Sequence, residues 1–257
     1  MITAGIDCGA RNTKTILLKE GKIIGKGSVL TGFDQGKAVE QSFERALETA
    51  GVTKGDIEKI AGTGAGKNAI KMAATKINDI RAMAKACHFF FPNARTVADV
   101  GAEEGRAVKM DENGGVVDFV INEKCAAGAG IFIEAMSKAL EVSMEEMGPL
   151  ALKSDTKIPM NAQCVVFAES EVVGLIHART EKADISKAIH DAVVNRVVSM
   201  IRRVGINEDV VLIGGVGRNP AFIHLMRQEL RVENLYVPDG PEFGAAVGAA
   251  VVAEEEG

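Results

Sequence analysis

Short runs of apolar residues alternate with longer segments in which apolar residues recur every three or four positions. The run from Val210 to Ile213 is typical of a buried strand, and residues 37–51 have the spacing of a helix with one apolar face. That face consists of Val39, Phe43, Ala46, Leu47 and Ala50. Because strand-like and helical segments follow each other along the whole chain, the pattern predicts an α/β fold.

The opening of the chain is repeated near its middle. The segment "IDCGARNTKTILLKEGKII" resembles "ADVGAEEGRAVKMDENGGVV", and each copy predicts a strand, a tight Asp-x-Gly turn and two further strands, followed by helices. At an offset of 92 residues the copies align Asp7 with Asp99, Gly9 with Gly101 and Ala10 with Ala102. Asp-x-Gly is also common hairpin chemistry, but two copies in matching context favour a phosphate clamp. Glycine lets backbone N–H groups approach a phosphate, and the aspartate can hold Mg²⁺ through water.

Two further glycine turns raise the question of a nucleotide. "GTGAGKNAI", residues 62–70, is not a P-loop, since Ala61 and Asn68 stand where that motif needs Gly and Ser or Thr. We interpret it as a structural turn before a helix, with Lys67 as a possible charge near the nucleotide or a partner. The apolar face of that helix would be Ile70, Ala73, Ile77, Ile80 and Ala84. The second turn, Gly214-Gly215, follows a predicted strand and precedes a helix from Asn219-Pro220, and adenosine could lie against its bare backbone.

Composition excludes several classes of function. The 257 residues fit one α/β unit or two smaller domains. A net charge of −5 with 4% aromatic residues disfavours nucleic-acid binding. The N-terminus has no signal-peptide pattern and no uncharged apolar run is long enough to span a bilayer, so we expect a cytoplasmic protein without a membrane segment. The four cysteines form no C-x-x-C pair, which argues against a disulfide framework.

The two phosphate-type hairpins and the late Gly-Gly turn resemble the actin, Hsp70 and sugar-kinase superfamily. "NEKCAAGAG" and "NAQCVVFAESE" further resemble the cysteine motifs of the ATPase components of 2-hydroxyacyl-CoA dehydratases and benzoyl-CoA reductases. The resemblance implies two ribonuclease H-like domains with ATP in the cleft between them. The first would be residues 1–92, completed by a C-terminal helix in 240–257, and the second, residues 93–239, would carry the cluster cysteines.

The resemblance also implies roles for the residues of the repeated loops. The first phosphate loop would be Asp7, Gly9, Ala10 and Lys14, the second Asp99, Gly101 and Ala102, and the adenosine turn Gly214 and Gly215. Mg²⁺ would be shared between the phosphates of ATP or ADP and, through water, Asp7 or Asp99. Many dehydratase activators read Asp-x-Gly-Gly-Gln-Asp in the second loop, where this chain reads "DVGAEE". Glu103 is therefore our candidate for orienting the attacking water, and the variation favours the benzoyl-CoA reductase type.

The resemblance further implies a dimer in which Cys125 and Cys164 of each chain together ligate one [4Fe-4S] cluster. The residues agree with this, because two thiolates cannot complete a cubane that needs four, and symmetry supplies the other pair. The second chain would be another copy or a homologous subunit. Both cysteines precede helical patterns, whose N-termini stabilise negative charge. A lone cysteine is more often a small buried hydrophobe, and we interpret Cys8 and Cys87 in that way. The four histidines receive no catalytic role, and Glu169 and Glu171 are either a solvated helix face or a nucleotide or hinge contact.

These expectations combine into an ATPase that transfers one low-potential electron to a partner. The partner would be an acyl-CoA dehydratase or an aromatic acyl-CoA reductase, and the electron donor reduced ferredoxin or flavodoxin. One alternative is a kinase of the same superfamily acting on a sugar or a pantothenate-like substrate, which has no use for paired cysteines. The other alternative is a regulator that binds ATP without hydrolysing it.

Overall fold

The computed structural model describes residues 1–122, 129–161 and 164–256. These residues form two compact units. The first contains Met1–Val97, Met110–Asp118 and the chain from Phe243 onward, and the second contains Ala98–Lys109 and Phe119–Glu242. The predicted division at residues 92 and 239 stays a prediction.

The first unit is built on a five-stranded mixed sheet. Its strands are β1 (Ile2–Cys8), β2 (Asn12–Lys19), β3 (Lys22–Leu30), β4 (Lys59–Thr63) and β5 (Thr75–Lys76), and its helices are α1 (Gln35–Ala50), α2 (Asp79–Phe90) and α8 (Gly244–Glu255). The strand order is β3-β2-β1-β4-β5. The β1–β2 and β2–β3 pairs are antiparallel, whereas β1–β4 and β4–β5 are parallel.

Helices cover both faces of this sheet because neighbouring strand residues point in opposite directions. Leu17 packs with Phe43 of α1 in one cluster. Ile16 and Leu18 pack with Ala246 of α8 on the other side. The sheet is therefore the middle layer of a three-layer unit.

The second unit repeats this topology. Its strands are β6 (Thr96–Val100), β7 (Gly105–Met110), β8 (Val116–Asn122), β9 (Val210–Ile213) and β10 (Leu235–Tyr236), and its helices are α3 (Ala129–Ala139), α4 (Met144–Ala151), α5 (Val165–His177), α6 (Lys182–Val204) and α7 (Pro220–Leu230). The strand order is β10-β9-β6-β7-β8. Read from the opposite edge, it matches the first sheet strand for strand, with β6 in the place of β1 and β7 in the place of β2. The repeated strand–turn–strand pattern of the sequence is thus confirmed in both units.

Capping residues in the sequence fix the boundaries of two of the predicted helices. The helix predicted over 37–51 is α1, where Asp34 accepts a hydrogen bond from Lys37 N at 2.9 Å and Gly51 ends the helix at φ 67°. The helix predicted from Asn219-Pro220 is also confirmed, with Asn219 as its N-cap. Sequence patterning therefore located these two helices within two residues.

The helix predicted from Ile70 is wrong in its start. Residues 67–69 form a short 3-10 turn, β5 pairs with β4, and α2 begins only at Asp79. Asn78 fixes this start, since its side chain accepts a hydrogen bond from Arg81 N at 2.8 Å. Ile70 and Ile77 are buried in a loop and not on a helix, so helical spacing here reflects core packing.

Candidate functional site

The first hairpin joins β1 to β2 and begins at Asp7, which is 7% exposed. Gly9 N donates to the carbonyl of Asn12 at 3.2 Å, closing the turn that contains Ala10. Lys14 Nζ donates to Asp7 Oδ2 at 3.1 Å from the neighbouring strand. The hairpin therefore brings together Asp7, Gly9, Ala10 and Lys14, all four residues expected in the first phosphate loop.

The second hairpin has the same construction between β6 and β7. Asp99 is 9% exposed, and Gly101 N donates to the carbonyl of Glu104 at 3.1 Å, which encloses Ala102 in the turn. Arg106 NH1 donates to Asp99 Oδ2 at 3.3 Å. The pair Asp99–Arg106 thus occupies the place that Asp7–Lys14 occupies in the first hairpin.

Arg106 is a site residue that the sequence reasoning missed. The offset of 92 residues that aligned the two aspartates also aligns Lys14 with Arg106, so the signal was present. Arg106 further donates to the carboxylate of Glu104. A planar guanidinium can hold two carboxylates at once, which a lysine ammonium does less rigidly.

A glycine turn packs behind the aspartate in each unit. Gly64 and Gly214 have φ values of 94° and 92°. A side chain at Gly64 would lie 2.5 Å from both Asp7 Oδ1 and the carbonyl oxygen of Cys8. A side chain at Gly214 would lie against Asp99 Oδ1 and 2.5 Å from the carbonyl oxygen of Val100. Only glycine fits either position, because the conformation and the space both exclude a Cβ.

The segment "GTGAGKNAI" is therefore the counterpart of the Gly214-Gly215 turn. Gly66 N donates to the carbonyl of Cys8 at 2.8 Å, and Gly64 N donates to Asp79 Oδ1 at 3.0 Å. A P-loop would place its lysine at the start of an α-helix. Here Lys67 begins a three-residue 3-10 turn. These contacts agree with the interpretation of the segment as a structural turn.

The Gly214-Gly215 turn follows β9 and is fixed from both sides. Gly214 N donates to the carbonyl of Pro241 at 2.8 Å, and Gly217 N donates to the carbonyl of Gly214 at 3.0 Å. Gly215 is exposed, and a Cβ there would meet no protein atom within 4 Å. The turn thus offers bare backbone with open space before it, as a site for a flat ligand requires.

A buried histidine stabilises the end of this turn. His190 of α6 lies 2.9 Å, Nε2 to Nδ2, from Asn219, whose Oδ1 accepts from Ala221 N and Phe222 N. His190 Nδ1 is 2.7 Å from the carbonyl of Ser186. Burial lowers the pKa of His190, opposed by its hydrogen bonds and by Asp191. The neutral ring therefore donates to Ser186 and accepts from Asn219, a structural role that its position in the sequence did not indicate.

The expected cluster cysteines lie near the starts of two packed helices. Cys164 is the N-cap of α5 and is half-buried, with no side-chain hydrogen bond at the cap. Cys125 lies outside the described residues, in the sequence just before α3, and α3 packs against α5. Cys8 and Cys87 are buried as expected. Within the described residues, no three or more His, Cys, Asp or Glu side chains are arranged to hold a metal.

The family model of the BadF/BadG/BcrA/BcrD ATPase family matches residues 4–253. The chain belongs to this ATPase family. It is 36% identical to the (R)-2-hydroxyglutaryl-CoA dehydratase activating ATPase of Acidaminococcus fermentans, over 98% of this chain and 96% of the relative. It is 33% identical to the 2-hydroxyisocaproyl-CoA dehydratase activator of Clostridioides difficile, over 100% and 96%. Identity to one of the subunits of the benzoyl-CoA reductase of Thauera aromatica is 29%, over 97% and 92%.

Solved structures agree with this membership. Component A of the Acidaminococcus fermentans dehydratase superposes with a TM-score of 0.94 at 33% identity, covering 100% of this chain and 98% of that one. The Clostridium difficile activator with bound ADPNP gives 0.93 at 34% identity, covering 100% and 95%. A glucokinase from Streptomyces griseus gives 0.64 at 13% identity and shares the fold alone. The expected actin, Hsp70 and sugar-kinase type of fold is confirmed.

In this ATPase-family chain the two glutamates of the second hairpin have different surroundings. Glu104 is held by Arg106, whereas Glu103 is exposed next to Gly101 and Ala102. A carboxylate engaged by an arginine is poorly placed to accept a proton from water. The geometry thus leaves the Glu103 carboxylate exposed to solvent and the Glu104 carboxylate bound to Arg106, a difference that the sequence alone does not show.

Helix α5 of this ATPase-family chain carries an exposed apolar surface beyond Cys164. Val166 and Phe167 are 67% and 64% exposed, and Val173 and Ile176 are also exposed. Large apolar patches on a protein surface mark sites of interaction with other molecules. Glu171, one of the two glutamates with two alternative roles, holds the chain ahead of Cys164 against the helix: its Oε2 accepts a hydrogen bond from Asn161 N at 2.8 Å.

No described helix is both long and apolar enough to cross a membrane.

Proposed function

We propose that this chain hydrolyses ATP in order to pass one low-potential electron to a partner protein. The partner would dehydrate a 2-hydroxyacyl-CoA or reduce an aromatic acyl-CoA thioester. The observation that carries the proposal is the position of Cys164 at the start of α5, half-exposed and beside an apolar surface, in a chain of this ATPase family. A sugar or pantothenate kinase would have no use for that arrangement.

The two hairpins supply what ATP binding requires. The N–H groups of Gly9 and Gly101 close two tight turns, and the backbone N–H groups of Ala10 and Ala102 inside those turns would meet the phosphate oxygens. Lys14 and Arg106 add positive charge beside the turns. Asp7 or Asp99 would hold Mg²⁺ through water, since Mg²⁺ in proteins keeps several of its water ligands and is bound by only one or two carboxylates.

Hydrolysis needs a group that orients water, and we assign that task to Glu103. Its carboxylate is exposed at the tip of the second hairpin, while Glu104 is occupied by Arg106. Gly214 and Gly215 would bind adenosine, since the exposed backbone of Gly215 faces open space. A relative of the same fold binds ADPNP, which supports nucleotide binding by this chain.

The residues of α5 fit an iron–sulfur ligand. A thiolate at a helix N-cap lies close to N–H groups that have no partner inside the helix, and these stabilise negative charge. Cys164 has that position, and its half-buried side chain leaves room for a ligand. Cys125 would supply the second thiolate of the chain, and a second copy or a homologous subunit would supply two more. A [4Fe-4S] cluster, when bound there, would provide a one-electron carrier.

The exposed apolar surface of α5 would be covered in the assembly. Val166 and Phe167 are two and three residues after Cys164, so a chain that shares the cysteine site must approach them. Reduced ferredoxin or flavodoxin is the electron donor that we propose, because both carry low-potential electrons.

Anaerobic purification with iron and sulfide analysis tests the proposal. We expect a brown protein with about four irons per dimer, as one shared cubane requires. Cys164→Ala should lose the iron and keep ATP binding, while Cys87→Ala, which removes a buried cysteine elsewhere, should keep both. A colourless wild-type protein, or loss of ATP binding together with iron, would contradict the assignment.

A further inference from the structure

The tips of the two hairpins carry opposite charges at equivalent positions. The offset of 92 residues that aligns the two aspartates also aligns Arg11 with Glu103. Each of them follows the alanine inside its turn, Ala10 or Ala102, and each is exposed. The first hairpin therefore presents a guanidinium at the position where the second hairpin presents a carboxylate.

The backbone of Arg11 is held in place by Thr31, the residue that follows β3. Thr31 N donates to the carbonyl of Arg11 at 2.9 Å, and Thr31 Oγ1 donates to the carbonyl of Gly9 at 2.8 Å. Thr31 is itself buried, with its Oγ1 3.0 Å from Thr13 Oγ1 of β2. Because the turn is also closed by the hydrogen bond from Gly9 N to the carbonyl of Asn12, the side chain of Arg11 extends from a fixed backbone.

The first hairpin has a surplus of positive charge, and Arg11 supplies it. Residues 7–14 contain two cations and one carboxylate, whereas residues 99–106 contain one cation and three carboxylates. The side chain of Lys14 is 16% exposed and pairs with Asp7 at 3.1 Å, so its charge is engaged inside the hairpin. Arg11 lies at the exposed tip, and a guanidinium has enough N–H donors to bind phosphate oxygens while it keeps a protein contact.

We propose that Arg11 is a further catalytic residue, which binds the terminal phosphate of ATP and stabilises the charge that develops there during hydrolysis. This inference rests on the proposed function, because it takes the first hairpin as a phosphate site. In the reaction a water oxygen forms a bond to the γ-phosphorus while the bond from that phosphorus to the β–γ bridging oxygen breaks. ADP and inorganic phosphate are formed, and one proton of the water leaves by way of Glu103. Negative charge spreads over the oxygens of the transferring group, where a guanidinium stabilises it.

The carboxylate at the tip of the second hairpin makes such a cation necessary. A carboxylate beside a phosphate repels it, so a site that uses Glu103 needs a positive charge at the same phosphate. Lys14 and Arg106 are each held by the aspartate of their own hairpin. The two tips would therefore divide the work, with Glu103 acting on the water and Arg11 acting on the phosphate.

Steady-state ATP hydrolysis and ADP affinity, measured on the same variants, test the inference. We expect Arg11→Ala to lower kcat by about 10²–10³-fold, as the loss of one donor to a developing charge does. Its Kd for ADP, which lacks the terminal phosphate, should stay within about threefold of wild type. Arg11→Lys should recover part of kcat, since it restores the charge without the planar fork. Arg203→Ala is the matched control, because it removes the same charge from an exposed position in the last turn of α6, and it should keep both values.

Two further readouts separate a catalytic role from a structural one. Free guanidinium ion at millimolar concentration should restore part of kcat in Arg11→Ala and leave kcat of Arg203→Ala unchanged. With Mg²⁺ and aluminium fluoride, which mimics the transferring phosphoryl group, the wild-type protein should bind ADP at least about tenfold more tightly than without fluoride. Arg11→Ala should lose that gain. Arg11→Gln, which removes the charge and keeps most of the side chain, decides the case if Arg11→Ala does not fold.

The outcomes separate this inference from the proposed function. If the wild-type protein hydrolyses ATP and carries iron but Arg11→Ala and Arg11→Gln keep the wild-type kcat, only the inference is overturned. The same holds if the two variants lose ADP affinity as strongly as kcat, or if they keep the gain from aluminium fluoride. If the wild-type protein hydrolyses no ATP, the proposed function is overturned and the inference with it.

Discussion

Gly214 and Gly215, the two adjacent glycines that we propose bind adenosine, should respond oppositely to the same substitution. Gly214 is buried against Asp99 and Val100, whereas Gly215 faces open space. A methyl group at Gly214 must therefore disturb the protein, and a methyl group at Gly215 can disturb only a ligand. Gly214→Ala and Gly215→Ala together test whether the turn binds the nucleotide.

The magnitudes follow from the geometry. Gly214 has φ 92° and ψ 163°, a region almost confined to glycine, where another residue costs about 1–3 kcal/mol. With the added contact to the carbonyl of Val100 at 2.5 Å, we expect Gly214→Ala to lose about 2–3 kcal/mol of stability. That corresponds to roughly 4–12 °C in Tm for a chain of this size. Gly215→Ala should change the free energy of unfolding by less than about 0.5 kcal/mol.

Thermal unfolding and titration with a fluorescent ATP analogue measure the two effects. We expect Gly215→Ala to unfold at the wild-type temperature and to bind the nucleotide at least about tenfold more weakly, because its methyl group occupies the adenosine position. Wild-type nucleotide affinity in Gly215→Ala would refute the assignment of the turn. Wild-type stability in Gly214→Ala would refute the steric reasoning about both positive-φ glycines.

Three further predictions concern charge, reactivity and pH. Arg106→Met should destabilise the protein by on the order of 3 kcal/mol in urea unfolding, because two carboxylates lose their cation, and Arg106→Lys should recover part of this. Iodoacetamide should modify Cys164 but not Cys87 in native metal-free protein, as mass spectrometry can show, since Cys87 is buried and its pKa is raised to about 12. Burial lowers the pKa of His190 in the folded protein below the unfolded value of about 6.5. As the pH falls, the imidazole is therefore protonated in the unfolded chain before it is protonated in the folded chain. The free energy of unfolding should accordingly fall as the pH drops below about 6.5. His190→Gln should flatten this dependence and the exposed control His224→Gln should not; an unchanged slope in His190→Gln would contradict the assignment.

Much of the fold could be read from periodicity and local turn chemistry. The repeat at an offset of 92 residues predicted two hairpins of one construction, and the structure has them, down to equivalent ion pairs at Lys14 and Arg106. Arg106 could be predicted only from the repeat itself, because the family motif that identifies Lys14 covers the first hairpin alone. The helix start near Ile70 was misplaced because a buried loop and a helix can share the same apolar spacing.

Contacts between distant parts of the chain could not be read from the sequence. His190 and Asn219 are 29 residues apart, and nothing in either local pattern pairs them. The backbone hydrogen bonds from Gly130 and Ile131 to the second hairpin have no signature in residue type except the glycine itself. Such contacts depend on how helices pack onto the sheet, which propensity and spacing do not specify.

The central claim is that ATP drives electron transfer through the site that contains Cys164. The most direct test is the one-electron reduction potential of the anaerobically purified protein, measured with bound ADP and with an unhydrolysable ATP analogue. We expect a redox-active iron centre whose potential changes between the two nucleotides, and we expect Cys164→Ala to lack it. An ATPase without a redox centre, or a centre with the same potential in both nucleotide states, would contradict the claim.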